Sequence, residues 1–336
     1  MTTADRSVHM PVAAQPSLDA LVALGERAES LGYHRAWLPE TWGRDAVTTL
    51  TRLASRTDRI GIGTSIVPVY SRSAAILGQT AATLQEASDG RFRLGLGPSG
   101  PAVIESWHGV DFERPLKYTR EYVDVIKSVL TGDVVSYDGD ILDLDGFRLR
   151  FEPPDPVPPV DAAGMGPKAV ELAGRFADGW HALFLTPDGL RDRLEDLRRG
   201  MELGDRPADA VKTTAVVNCC ALEDGDRARS LLRSHLAFYI GGMGTFYRDA
   251  LARQGHEETA HAVYDAWQAG DREEATAAID DFLLDQLGVA GTPDRVADQF
   301  DTFAAIDGVD AIAISFPRGA DREEIDETLW ALAPGT

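Results

Sequence analysis

Eight short apolar runs, each followed by a stretch with helical periodicity, order this chain from one end to the other. The runs are Val8–Ala14, Arg35–Glu40, Asp58–Val67, Phe92–Gly97, Pro159–Ala163, Gly179–Phe184, Lys212–Cys219 and Val309–Ser315. Between them lie amphipathic segments with helix signals at their ends. Ser17 caps a stripe of Leu18, Leu21, Val22, Leu24, Ala28 and Leu31 that Gly32 stops; Pro115, Pro187 and Pro293 each stand in a first helical turn. Strands alternating with helices make a parallel sheet covered by helices, and eight repeats close a (β/α)8 barrel. The fold class is therefore α/β, with a TIM barrel expected and a doubly wound open sheet as its rival. One domain is expected over residues 1–336, with two excursions. The first, at about 98–158, holds a hairpin-like pair around Asp138-Gly139-Asp140 and a stiff run with five prolines between Pro153 and Pro159. The second, at 241–290, reads as a polar helical insertion after the seventh strand.

Charge narrows the partners. The chain has 33 basic and 54 acidic residues, a net charge of −21, and no cluster of Lys and Arg that could track a nucleic-acid backbone or an anionic membrane. Asp outnumbers Glu 35 to 19 and Arg outnumbers Lys 29 to 4. Such a surface repels itself in dilute buffer and is screened within about 3 Å at 1 M salt, so a halophilic, salt-adapted acidic protein is expected. Cys219 and Cys220 are adjacent, and neighbours on a strand point to opposite faces, so no disulfide is expected between them. The segment Met1–Val8 carries Asp5 and no following apolar run, which does not read as a secretory signal, and no stretch approaches the ~20 apolar residues of a membrane helix. A cytoplasmic location is the expectation.

Several strand ends carry candidate chemistry. Gly95-Leu96-Gly97-Pro98-Ser99-Gly100 matches GxGxxG, but it follows the fourth strand, and Pro98 and Pro101 remove two N–H donors that a pyrophosphate would use. A Gly-rich strand end approached by a ligand fits better, with a simple tight turn as the alternative. Ala163-Gly164-Met165-Gly166-Pro167-Lys168 opens a helix, and its free N–H groups, the helix dipole and Lys168 suit an anion such as phosphate; a capped turn with a surface lysine is the plainer possibility. Gly61 and Gly63 in Gly61–Ile66 mark a bulge, a close backbone approach or a barrel corner. Glu40 ends the second strand beside Thr41 and Trp42, where barrel enzymes keep site residues. Seven histidines occur without metal-ligand spacing; His181 on the sixth strand either enters the site or packs. No GxSxG elbow and no Cys/His nucleophile signature occurs, which points to chemistry carried by a cofactor.

These segments resemble a known family. Leu31-Gly32-Tyr33-His34-Arg35-Ala36-Trp37-Leu38-Pro39-Glu40, Thr57–Thr64, Leu84–Phe92 with its LxExSxGR pattern, and Gly164–Ala169 with Leu172-Ala173-Gly174 and Ala177-Asp178-Gly179-Trp180 are similar to the bacterial luciferase-like superfamily. Within it they look most like the coenzyme F420-dependent branch that includes methylenetetrahydromethanopterin reductase. The likeness is clear from about Leu18 to Trp180 and weak after Asp188. It implies a luciferase-like (β/α)8 barrel with an insertion after the seventh strand and a flavin or deazaflavin in its mouth. It implies a bulge with a non-prolyl cis peptide at Ser65–Ile66 behind the ring, with Thr64 before it, and phosphate at Gly164, Gly166 and Pro167, flanked by Ala163, Met165 and Lys168. Glu40, Thr41 and the Gly97-Pro98-Ser99 turn would border the ring, and Glu40 is the candidate catalytic group. Arg72 and Lys168 are the candidate cations for an anionic cofactor. Glu40-Thr41 stands where relatives often have Asp-His, and Ser99-Gly100-Pro101 lacks an acid that relatives often carry.

The resemblance implies an oxidoreductase that moves hydride to or from coenzyme F420 and an unidentified small organic substrate, partly covered by the 241–290 insertion with Phe246, Tyr247 and Trp267. The alternatives are an FMN-dependent monooxygenase and a non-catalytic flavin-binding barrel. A metal-dependent hydrolase is disfavoured, because only Glu40 and His181 sit at the ends of the expected strands. By family analogy the chain would form a homodimer.

Overall fold

A computed structural model describes residues 4–335. Its barrel strands are β1 (Asp5–His9), β2 (Arg35–Leu38), β3 (Gly61–Thr64), β4 (Phe92–Gly97), β5 (Val160–Ala163), β6 (Gly179–Leu183), β7 (Lys212–Ala221) and β8 (Ala311–Ser315). Each pairs in parallel with the next, and β8 pairs with β1, so the sheet closes on itself. This is the expected (β/α)8 barrel; the open doubly wound sheet is excluded. Helices cover it outside and enter as the sequence indicates. Ser17, Asp45 and Ser73 accept hydrogen bonds from the amides of Ala20, Thr48 and Ile76 at the starts of the first three helices.

Most boundaries fall within two residues of expectation, Glu40 lying two residues beyond the end of β2, and three differ by more, each for a local reason. The first strand is Asp5–His9, not Val8–Ala14. Its register against Ala311–Ser315 ends at His9, and Pro11 has no N–H to continue the ladder. The third strand stops at Thr64. The chain kinks through Ser65–Ile66 and resumes at Val67–Pro68, which pairs with Leu96 and Gly97 of β4. The 241–290 segment is helical until Leu287, but Gly288–Gly291 then forms a short strand alongside Asn218–Ala221 of β7. Two glycines in four residues hide it from strand propensity. The 98–158 excursion contains helices Pro101–Ser106 and Pro115–Leu130 and an antiparallel hairpin, Val135–Asp138 with Asp143–Phe147. The buried Glu121 carboxylate accepts from the amides of Asp140, Ile141 and Leu142 and pins the hairpin to the helix.

The barrel interior is packed and in part polar. Along one side Arg93, Asp161, His181 and Ser65 form a connected chain. Elsewhere Trp37, Val216 and Ala313 meet with Leu183 against them. The strand glycines make room for these side chains. A Cβ at Gly61 would lie 2.6 Å from Cζ of Arg35, one at Gly63 would collide with the Trp37 ring, and one at Gly95 would fall on the Thr64 carbonyl oxygen and 3.1 Å from His181 Nε2. Gly61 and Gly63 therefore answer to large inward residues on β2 rather than to a ligand. Both cysteines are buried and free, and burial pushes the Cys220 thiol up to about 12. Among the described residues no helix is long and apolar enough to cross a membrane.

Candidate active site

The C-terminal ends of β2–β5 form one continuous wall. Ser65 donates its amide to Leu38 (2.8 Å), and Glu40 donates its amide to the Ile66 carbonyl (3.1 Å), so the ends of β2 and β3 are tied together. The Ser65–Ile66 peptide is cis, as the resemblance implies. Space for a Cβ at Gly97 is bounded by the Ala163 methyl at 3.3 Å and Ile66 Cγ1 at 3.5 Å, which joins β3, β4 and β5. Ile66, Thr41, Pro98, Ser99 and Ala163 are partly exposed on this wall, and Ser99 is left-handed (φ 60°). Thr64 is not available to a ligand. It is 1% exposed and exchanges two hydrogen bonds with Gly95, one from Thr64 Oγ1 to the carbonyl (2.7 Å) and one back from the amide (2.9 Å).

Next along the wall, helix Pro167–Phe176 starts without a side-chain cap, and Pro167 stands at its first position. The amides of Gly164, Met165, Gly166 and Lys168 have no partner among the described residues. Nothing lies within 4 Å of a Cβ built on Gly166. The Gly164 carbonyl accepts from Trp180 Nε1 (3.0 Å), which holds the turn against β6. Unbonded amides and the positive end of a helix dipole, opening into free space, suit an anion. Lys168 contributes less than its sequence position suggests, being exposed and paired with Glu171 at 3.1 Å.

Glu40 is placed at the rim but is fully engaged. Its carboxylate takes both terminal nitrogens of Arg72, at 2.9 Å for Nη2 to Oε2 and closely at Nη1 to Oε1, together with the Ala46 amide at 3.1 Å. Arg72 also meets Asp45 at 2.6 Å. Arg72, expected to offset an anionic cofactor, is thus neutralised by two carboxylates. The trio fixes the loop after β3 to the loop after β2, and Glu40 has no free oxygen for proton transfer while it holds.

Two histidines complete the floor. His181, 2% exposed, approaches Ser65 Oγ with Nδ1 (3.1 Å) and Asp161 with Nε2 (3.3 Å). Arg93 grips Asp161 through Nε (2.9 Å) and Nη2 (2.5 Å). Burial alone would raise the Asp161 carboxyl; Arg93 and His181 overcome it and hold the group ionised, below the usual carboxylate range. An ionised Asp161 can only accept, so His181 presents Nε2–H to it and turns Nδ1 to the Ser65 hydroxyl. His9, which the sequence did not single out, ends β1 and donates Nε2–H to the Ser65 carbonyl (2.8 Å). Burial lowers it to about 4, the Ser65 bond opposes this, and His181 adds to it. The missed signal is alternation: Ser7 and His9 share one face of the strand, and Arg6 and Val8 the other. Placing the strand at Val8–Ala14 put His9 at its start instead of its end.

The excursions frame the mouth. Rings of Tyr70, Phe112 and Phe246 follow one another at 5.5 and 5.6 Å, which links the loop after β3, the 98–158 segment and the insertion. Tyr247 stands edge-on to Phe184 (5.1 Å) and Tyr239 (4.8 Å). Trp267 packs instead on Gly241, Gly242 and Phe238, at the base of the insertion. Trp42 and Trp107 are 50% and 65% exposed on loops at the barrel's C-terminal face. Among the described residues no group of three or more His, Cys, Asp or Glu could hold a metal ion.

The family model described as luciferase-like monooxygenase matches residues 1–310. A Mycobacterium tuberculosis protein, whose name assigns it provisionally to the coenzyme F420-dependent oxidoreductases, is 31% identical over 301 residues, covering 83% of this chain and 85% of the relative. The 5,10-methylenetetrahydromethanopterin reductase of Archaeoglobus fulgidus is 28% identical over 300 residues, covering 88% and 89%. The structure of the coenzyme F420-dependent tetrahydromethanopterin reductase of Methanopyrus kandleri superposes with a TM-score of 0.85 at 23% identity, covering 99% of this chain and 98% of that one.

Proposed function

The chain belongs to the luciferase-like monooxygenase family, and from that premise we propose that it is an oxidoreductase dependent on coenzyme F420, exchanging hydride with a small organic substrate. The observation that carries the reading is the near-full-length likeness to F420-dependent relatives, coupled to a wall at β2–β5 suited to a flat ring with an anionic tail. When bound, the deazaflavin supplies the hydride-accepting carbon.

What the chain contributes is placement. Gly164, Met165, Gly166 and Lys168 offer backbone amides to a phosphate at the start of helix Pro167–Phe176. Ser65, Ile66, Gly97, Pro98 and Ser99 line the ring's side of the mouth, with Ala163 beyond them. Thr41 borders that surface, and Thr64 holds it from behind. We assign Glu40 to bracing the rim through Arg72 rather than to proton transfer. His181 and His9 fix Ser65 from two directions, through its hydroxyl and its carbonyl. A rigid surface of this kind holds reactants at about 3–3.5 Å with little reorganisation.

Titration of the protein in molar KCl with F420 and, separately, with FMN, followed by cofactor fluorescence, tests the reading. Tight binding of F420 alone is expected. Binding of FMN alone would move the chain to the monooxygenase reading, and binding of neither by a folded sample would support a barrel without redox chemistry.

A further inference from the structure

Opposite the β2–β5 wall, three polar side chains stand in a row. Ser315 on β8 is in register with His9 of β1 on one side and Asn218 of β7 on the other. Residues in register share a face, and His9 faces inward because its Nε2 reaches Ser65. Two residues below on the same strands, Val216 and Ala313 meet Trp37 inside the barrel, which confirms the parity. His9 and Ser315 end their strands at the mouth, Asn218 lies beside Ser315 three residues before the end of β7, and adjacent strands lie about 4.8 Å apart.

None of the three is satisfied from within. Ser315 Oγ, the Asn218 amide and His9 Nδ1 have no hydrogen-bond partner among the described residues, although Asn218 is only 5% exposed. Their polar atoms still reach solvent, so a ligand that bonds to them exchanges places with water at the mouth. The donor inventory is specific. His9 spends its one N–H on Ser65, so Nδ1 accepts; Ser315 donates and accepts; Asn218 donates and accepts. A substrate hydroxyl can donate to one member while accepting from its neighbour, and a carbonyl can accept from Ser315 and Asn218.

We propose that His9, Ser315 and Asn218 form the subsite for the oxygen function of the substrate, an uncharged hydroxyl or carbonyl compound with an apolar body, an inference that rests on the F420-dependent reading above. The row carries no ionised group, since burial keeps His9 neutral at pH 7. Trp42, Trp107 and Phe246 provide apolar surface around the mouth. Three cations at this end of the barrel are paired: Arg72 with Glu40 and Asp45, Lys168 with Glu171, and Arg248 with Asp249 at 2.7 Å. Arg318, three residues beyond Ser315, has no ion pair among the described residues and lies over the Phe238 ring at 3.8 Å, and Arg44, on the loop after β2, is held by the carbonyls of Val12 and Gln15.

Cyclohexanone and glucose 6-phosphate are suitable opposed probes. Binding of each is measured by ligand-observed NMR on the protein with and without F420, beside the F420 affinity itself and the reduction of F420 by cyclohexanol. Expected is cyclohexanone binding that glucose 6-phosphate does not displace. Asn218→Ala and Ser315→Ala should each weaken it about five- to tenfold, the worth of one hydrogen bond, with F420 affinity within about twofold of wild type. His9→Gln keeps an Nε donor for Ser65 but removes the Nδ1 acceptor, so cyclohexanol turnover should fall while the melting temperature holds. Absence of cyclohexanone binding, displacement by glucose 6-phosphate, or unchanged binding in Asn218→Ala would overturn the assignment. Failure of F420 to bind would count against the cofactor reading alone, because the Asn218→Ala comparison on the cofactor-free protein still decides the subsite.

Discussion

Replacing Asp161 by Asn changes one oxygen to nitrogen in the barrel interior and should cost about 3 kcal/mol. Asp161 is 2% exposed and takes two N–H groups of Arg93 and one of His181. Asparagine has one acceptor oxygen. In either orientation of the amide, its NH2 confronts at least one Arg93 donor, and the guanidinium charge loses its counter-ion. Breaking a buried pair by removing one partner costs about 3–5 kcal/mol. The lower end applies here, because Arg93 keeps a contact to the Asp178 carbonyl at 3.3 Å and its side chain is 18% exposed. With an unfolding entropy of about 2.1 cal/mol/K per residue over 336 residues, the melting temperature should fall by about 4 °C. Calorimetry on the cofactor-free protein at pH 7 measures this, and the double variant Arg93→Met with Asp161→Leu should recover most of the loss. The pH dependence has a definite sign. The folded carboxyl lies below its unfolded value, so the wild-type advantage is full above about pH 4 and is lost as pH falls through the folded value. A fall of under 1 °C at pH 7, or a difference that grows on acidification, would refute the assignment of an ionised, charge-paired Asp161.

Burial lowers His9 to about 4 and His235 to about 3, with Arg318 adding to the effect at His235, so both groups bind protons more tightly when unfolded. Stability is full above about pH 6.5 and should drop as pH falls toward 4, by about 3 kcal/mol for His9 alone; urea midpoints across that range measure it, and His235→Phe should flatten the slope. A net charge of −21 predicts a melting temperature that rises between 0.1 and 2 M KCl, where screening removes self-repulsion; a flat or falling trend counts against salt adaptation. Gly95→Ala puts a methyl on the Thr64 carbonyl oxygen and should destabilise by about 1–3 kcal/mol, whereas Gly166→Ala meets open space and should leave the melting temperature unchanged while weakening cofactor binding. Equal thermal effects of the two substitutions would contradict the reading of these glycines.

The alternation of strands and helices was legible because it is local, repeated eight times and punctuated by capping residues such as Ser17, Asp45 and Ser73. The turn at Gly164–Gly166 was legible for the same reason, since a glycine run before a proline states its own backbone geometry. Contacts across the barrel were not. Gly61 and Gly63 looked like a ligand's approach because nothing in their own segment announces Arg35 and Trp37, two dozen residues earlier. Arg72 and Lys168 looked like free cations because Glu40, Asp45 and Glu171 find them through packing. His9 was lost to a strand placed three residues late at its start and five at its end, and Asn218 and Ser315 showed no pattern until register put them beside it.

The two walls of the mouth are written in different materials. From Ser65 to the first turn of helix Pro167–Phe176, the surface is mostly peptide groups and small residues; opposite, it is the side chains of His9, Ser315 and Asn218. A substitution replaces a side chain and leaves a backbone amide where it was. Random change in the gene therefore falls unevenly on this mouth. The peptide-built side keeps its donors through such exchanges except where a glycine holds space open, as at Gly95, Gly164 and Gly166, while the opposite side acquires a new chemical vocabulary with each single exchange.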